Sequence, residues 1–569
     1  MFTVGEHPKS LFYRDMLMQL NRILSLLPLA AMAILAGCSG TNPADSVFLN
    51  GRIYTVDKEN AWSEAVAVRD DRFVFVGTSQ QAREFVGAST TVTDLEGKMV
   101  MPGIHDAHIH YLLAGLHVEA YCELPSGAST DGMVEALKQC GEDQEEDDWI
   151  VAGFFYASQF PDGKPNRSYL DAAFPNTPVY LIEFSEHHGL ANSKALEIAG
   201  VDNSTPVPFG GGLPKDDDGQ LTGEMVESAT WLIKQHFPAQ PDAANTEAIR
   251  WASQKASEFG ITSAQEAAAT EPALRGLNAV DAAGELNQRV AAHLVLKSSM
   301  FGGTSFDELE QLLARRQDFE SPHVEVDFAK MWIDGSPTPP YFTEAGFDDD
   351  ANQIDPTNLL IPEDELNATV TRLDKIGVKA KMHVAGAGAA HAALNAIAAA
   401  REANPDSTLK HELGHTNLVI PADLGRFEDL NAVAEFSPTV WHEYGRTLGS
   451  PPRPAWQFNS ILGRGALIMV GTDWPVTKDP NIFPALEGML DRGDESVDLA
   501  AGIAAMTING AIALGWDDEQ GSIEPGKIAN FIVLDRNLFD IEMAEISETK
   551  VLQTIFEGRV VFNADPDQK

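Results

Sequence analysis

Cysteine is close to absent from this 569-residue chain: only Cys38, Cys122 and Cys140 occur, and no two of them form a CxxC pair. That scarcity argues against a zinc ribbon or a dithiol redox centre. Basic residues are scarce as well, with 40 Lys and Arg against 84 Asp and Glu and a net charge of −44. A surface of that sign repels phosphate backbones, so nucleic acid is not an expected partner. No internal repeat is found. What is present is an ordinary globular composition with 44% hydrophobic residues, enough for a large core in more than one domain.

The apolar run at 23–35 follows Arg22 and ends in Leu35, Ala36, Gly37 and Cys38. It has the length of a signal-peptide core and is too short to span a bilayer. The ending resembles a bacterial lipobox, in which the cysteine is lipidated and becomes the first residue of the mature chain. Residues 1–38 are therefore expected to be a lipoprotein signal peptide, with Cys38 the lipid anchor and the only link to a membrane. Ser39 after the cysteine favours the outer membrane, on the periplasmic side of the cell envelope. In that oxidising compartment Cys122 and Cys140 are either joined in a disulfide or two separate thiols.

Residues 46–100 read as short alternating strands broken by turns such as Asn50-Gly51 and Asp70-Asp71, a small antiparallel sheet. A matching set at 531–534 and 554–562 lies in the C-terminal segment 520–569, and the two ends together suggest one composite β-sandwich domain. Between them, 101–519 alternates apolar strands with helical stretches as parallel βαβ units do. Candidate strands lie at 99–101, 260–263, 290–296, 324–331, 378–382, 432–436 and 467–470, and the Ala-rich segment 385–400 reads as a helix. The fold class is thus α/β: a (β/α)8 barrel of about 250 residues plus insertions. The largest insertion is expected at about 111–259.

The strongest local signal is Met-Pro-Gly-Ile-His-Asp-Ala-His-Ile-His at 101–110. Residues two apart on a strand point to one side, so His108 and His110 can chelate one metal ion. His383, His415 and Asp473 fall at further strand ends, where barrel enzymes carry their chemistry. Each alone also reads as a satisfied polar residue or a cap. Together they form an ordered set of donors.

These stretches resemble the amidohydrolase superfamily, in particular its type 3 branch with the N-substituted formamide deformylases. Ala-Lys-Met-Trp-Ile-Asp-Gly-Ser at 329–336, Gly-Thr-Asp-Trp-Pro-Val at 471–476 and Gly-Ser-Ile-Glu-Pro-Gly-Lys-Ile-Ala-Asn at 521–530 add to the likeness. The resemblance implies a site for one or two divalent ions, zinc leading, held by His108, His110, Lys330, His383, His415 and Asp473. Lys330 matches a lysine that in many members is carboxylated and bridges two metals; its alternative is a snorkelling or salt-bridged lysine. His187, in Glu-His-His-Gly at 186–189, matches a histidine near the substrate. Trp332 and Trp474 flank proposed ligands and either line a pocket or pack in the core. Asp106 either orients a ligand imidazole or shapes a turn, and His105 stands where relatives are often apolar.

The implied reaction is hydrolysis of a C–N bond in an amide, formamide or cyclic amide by metal-activated hydroxide, with Asp473 as acid and base. A small molecule is the expected partner, and a homodimer is left open. Two other readings stand beside this one. Adenosine-type deaminases place a glutamate three residues after the strand-5 histidine, where this chain has Gly386, and many relatives carry an aspartate where it has Ala387. A metal-free ligand-binding lipoprotein on the same scaffold would be favoured by a lost ligand, and none is lost.

Overall fold

Eight parallel strands form one sheet wrapped into a nearly closed barrel: β1 Ile104–Ile109, β2 Ile261–Ala269, β3 Arg289–Val295, β4 Val324–Trp332, β5 Lys379–His383, β6 Glu412–Gly414, β7 Val433–Phe436 and β8 Leu467–Val470. This architecture belongs to a computed structural model that describes residues 42–564, except 126, 144–147, 299–304, 349–352 and 441–455. The expected signal peptide and Cys38 lie outside the described residues.

The strands are buried on both faces, as a sheet covered by helices must be. The Ala-rich helix, Ala387–Ala403, packs its small side chains close to the barrel beside Glu363–Lys375. The gap between β8 and β1 is bridged past the strand ends, where the Asp473 amide donates to the His108 carbonyl at 2.7 Å and the His110 amide to the Trp474 carbonyl at 2.9 Å. Gly471 is required there: a Cβ on it would lie 2.3 Å from the His108 backbone nitrogen.

The sequence placed a barrel strand at 99–101, but Met99–Pro102 belongs to a different sheet. The chain breaks at Gly103, pressed against Thr262, and β1 begins only at Ile104. Met99–Pro102 instead pairs with Arg52–Tyr54 in parallel and Phe531–Leu534 antiparallel. It thus joins a six-stranded sheet built from both ends of the chain. A four-stranded sheet (Ser46–Leu49, Ala65–Arg69, Arg72–Gly77, Thr91–Asp94) faces it across a shared core that includes Phe48, Val66, Phe73, Phe531 and Ile555. The N-terminal strands are not purely antiparallel as expected, since Ser46–Leu49 runs parallel to Thr91–Asp94.

Between β1 and β2 the chain builds a sheet of its own. Its six strands are mixed in direction, with Ile150–Phe155, Val179–Glu183 and His188–Ala191 at the centre and Glu224–Glu227 beside them. Two apolar clusters, one on Leu181 and Leu190 and one on Tyr180 and Met225, cover its faces. A disulfide joins Cys122 to Cys140 here, tying an edge strand to the helix Thr130–Cys140.

Candidate metal centre

The carboxyl ends of five barrel strands deliver six side chains into one cavity. His108 comes from β1 and His110 directly follows it; Lys330 lies near the end of β4, His383 ends β5, His415 follows β6 and Asp473 follows β8. His415 and Asp473 adopt left-handed backbone (φ 68° and 57°), uncommon for residues other than glycine, and such strain clusters where function over-determines the backbone.

His110 Nε2 lies 3.3 Å and His108 Nε2 3.7 Å from Asp473 Oδ1, and His415 Nδ1 lies 4.0 Å from Asp473 Oδ2. One ligand atom from each of His108, His415 and Asp473 falls within 4.8 Å of the others. The His383 and His415 rings are 4.5 Å apart, and among the described residues the buried His383 Nδ1 has no hydrogen-bond partner. Lys330 Nζ is 3.0 Å from His108 Nε2.

Burial, then the nearby cationic groups, holds the His108, His383 and His415 rings well below the usual histidine range, so they are neutral and offer lone pairs. Burial also lowers Lys330 to about 7, helped by Lys381 and opposed by Asp473, Glu435 and Glu266. Burial alone would raise the Asp473 carboxyl, but the His110 hydrogen bond and the charge of Lys330 hold it low and ionised. The neutral imidazoles of His108, His383 and His415, an ionised carboxylate, an orphaned ring nitrogen and an amine near neutrality are a donor set that fits a borderline divalent cation.

Glu435, on β7, was not foreseen. Its Oε2 accepts from His108 Nδ1 at 2.8 Å and from the His415 amide at 3.2 Å, and its Oε1 accepts from the Ser437 hydroxyl at 3.0 Å. Fixing Nδ1 as the donor turns His108 Nε2 toward the centre. The available signal was an acidic residue inside the apolar run Val-Ala-Glu-Phe at 433–436.

Asp106 does not orient an imidazole. Its carboxylate accepts from the His108 amide and from the amide and hydroxyl of Thr472 at 3.0, 3.0 and 2.6 Å, tying β1 to the end of β8. His105 faces away from the centre, with Nδ1 2.9 Å from the Ser263 hydroxyl and its ring against Trp516. Burial pushes it down to about 3, a neutral core histidine. Trp332 lines the cavity, with Lys330 Nζ 4.8 Å from its ring centroid. Trp474 lies outside the cavity lining, stacked on Trp251 and 2% exposed, so it takes the core-packing alternative. His187, in the bend just before the strand His188–Ala191 of the inserted sheet, lines the cavity, its ring 4.9 Å from that of His383.

Known proteins resemble this chain in sequence or in fold. The chain is 27% identical to the N-substituted formamide deformylase of Arthrobacter pascens, over 91% of this chain and 98% of that protein. It is also 27% identical to the protein LONG AFTER FAR-RED 3 of Arabidopsis thaliana, over 91% and 92%. Among solved structures, an uncharacterized metal-dependent hydrolase from Pyrococcus horikoshii superposes with a TM-score of 0.68 at 20% identity, covering 88% of this chain and 99% of that one. Residues 91–562 match the amidohydrolase family, from the terminal sheets through the whole barrel, and the chain belongs to that family.

Proposed function

We propose that this protein is a metal-dependent hydrolase of C–N bonds in amides, formamides or cyclic amides. The observation that carries the reading is the convergence of His108, His415 and Asp473 ligand atoms within 4.8 Å, among imidazoles kept neutral by burial. His108, His110, His383, His415 and Asp473 would hold one or two divalent ions, zinc first among them, and Lys330, on taking up carbon dioxide as a carbamate with loss of a proton, would add a further anionic donor. A neutral amine is what carbamate formation requires, and the lowering of Lys330 to about 7 supports that modification. An ion bound there supplies a Lewis acid for the substrate carbonyl and lowers the pKa of water from about 15.7 to about 7.

The protein's own groups do the rest. Asp473, ionised and 3.3 Å from His110 Nε2, accepts the proton of the attacking water and returns it to the leaving nitrogen. Trp332 and His187 bound the volume in which the amide lies. Gly386 in place of a glutamate counts against deamination.

The apolar run at 23–35 and Cys38 support anchoring of this enzyme by lipid in the cell envelope, and a disulfide at Cys122–Cys140 suits an oxidising compartment. Labelled fatty acid should appear in the mature protein and vanish with Cys38→Ser.

Purified protein should carry at least about one equivalent of zinc, manganese or iron, and chelation should abolish amide hydrolysis. Asp473→Ala should reduce kcat by about a thousandfold or more with an unchanged circular dichroism spectrum. Below about 0.5 equivalents of metal after growth with added metal, the binding-protein reading takes over.

A further inference from the structure

Outside the metal ligands, His187 is paired with Glu227, a residue to which the mechanism above gives no part. The Glu227 amide donates to the His187 carbonyl at 2.9 Å, which sets Glu227 beside His187, itself part of the cavity lining. Glu227 is 1% exposed and sits at φ 48°, ψ −120°, a strained backbone for a residue with a side chain. Its Oε2 is 2.8 Å from His187 Nδ1. Its Oε1 accepts from the Ser336 amide at 3.1 Å and from the Thr343 hydroxyl, both on the segment that leaves β4. Gly335 makes room for this contact, since a Cβ there would lie 2.1 Å from that oxygen.

An ionised carboxylate only accepts, so Nδ1 of His187 is the donor. In the neutral ring the other nitrogen, Nε2, then carries the lone pair. His187 lines the metal cavity, and among the described residues no protein group is hydrogen-bonded to its Nε2. A lone pair on that wall matches a substrate that brings an N–H.

We infer that Glu227 is a positioning residue that fixes the tautomer of His187, whose Nε2 accepts the N–H of the bound amide, so that the site selects amides bearing an N–H over their N-methylated counterparts. The inference rests on the amide-hydrolysing reading for its substrate and on geometry alone for the tautomer.

Glu227→Gln separates these roles. The Ser336 amide can only donate, so it requires the carboxamide oxygen at the Oε1 position, which turns the carboxamide NH2 toward His187 Nδ1. Nδ1 then accepts, the ring proton moves to Nε2, and an acceptor in the cavity becomes a donor.

The test uses full-length protein loaded with zinc. Long-range proton–nitrogen NMR of histidine-labelled protein at about pH 8, where an ordinary imidazole is neutral, reads the tautomer, with the His187 signals assigned by their absence in His187→Phe. The wild type should show the proton on Nδ1, and Glu227→Gln should show it on Nε2. In parallel, kcat/KM is measured for formanilide and N-methylformanilide. The preference for formanilide should be about tenfold larger in the wild type than in either variant, a ratio that cancels the intrinsic reactivity of the two amides. A proton on Nε2 in the wild type, or a preference unchanged by His187→Phe, overturns the inference. Should the wild type hydrolyse neither amide, the hydrolase reading fails on these probes while the NMR still decides the tautomer and with it the role of Glu227.

Discussion

Glu435 illustrates what a single residue does at this centre without touching the ions it would serve. Its carboxylate holds both the His108 ring and the His415 backbone, and burial raises it to about 7. Glu435→Gln keeps the shape but offers a weaker, neutral partner to Nδ1. Metal affinity should fall by about 10- to 100-fold, measured by competition with a chromogenic chelator, with little change in the folded spectrum. The sequence could not announce this residue, because Glu435 and His108 lie 327 positions apart and only the barrel brings them together. The histidines were legible for the opposite reason: His108 and His110 declare themselves by strand periodicity, and His383, His415 and Asp473 by their places at strand ends. Lys330 was readable only through family resemblance, since a lysine near the end of an apolar strand has no spacing rule. Trp474 shows the limit of proximity in sequence: it adjoins Asp473, yet the left-handed turn at Asp473 is followed by a tryptophan packed on Trp251.

At the level of elements, the weakest seam of the barrel is where β8 meets β1. A buried carboxylate is tolerated there because Asp106 collects two amides and a hydroxyl, and even so burial raises it to about 6. Thr472→Val removes the hydroxyl at constant shape and leaves one carboxylate oxygen short of a donor. That should cost about 1–3 kcal/mol, read as a lower urea midpoint with unchanged slope. It should also loosen Asp473, the next residue, so activity should fall before the protein unfolds. Elements long and apolar enough to stand out, such as β4 and the helix Ala387–Ala403, were readable in the sequence. β6 was readable only as the stretch Lys-His-Glu-Leu-Gly that leads into His415, since three strand residues, Glu412–Gly414, give no period to detect. The sheet between β1 and β2 was anticipated only as an insertion. Its short strands and tight turns carry weak local patterns, and its edge is set by pairing and by the Cys122–Cys140 link rather than by propensity.

Across the whole molecule, the terminal sheets and the barrel are joined by packing, by hydrogen bonds such as Thr554 to the Ser257 carbonyl, and by a charged knot. His323, just before β4, sits between Glu557 on the last hairpin turn, 3.0 Å from Nε2, and Asp281 on the helix after β2, 2.5 Å from Nδ1. The hydrogen bond to Glu557 raises His323 to about 9 against the opposing effect of burial, and Asp281 adds to the rise. The two carboxyls are lowered in turn, Glu557 chiefly by His323 with Arg559 nearby, and Asp281 by His323 and Ser321 against its own burial. A histidine whose folded pKa lies above its unfolded value near 6.5 stabilises fully below that value and loses its contribution as pH rises through about 9. The carboxyls act in the other direction, stabilising above their unfolded values near 4 and losing that contribution as pH falls through their lower folded values. The knot is therefore strongest between about pH 5 and pH 7. His323→Gln keeps a neutral hydrogen-bonding side chain and removes only the charge. It should lower the unfolding free energy by about 1–2 kcal/mol near pH 6, and the gap should close as pH approaches about 10, where the wild-type ring is neutral too. Urea midpoints of both proteins across that range check the sign: a gap that widens with rising pH would mean that His323 is held neutral and that packing against Phe556, not charge, secures the terminal sheets to the barrel.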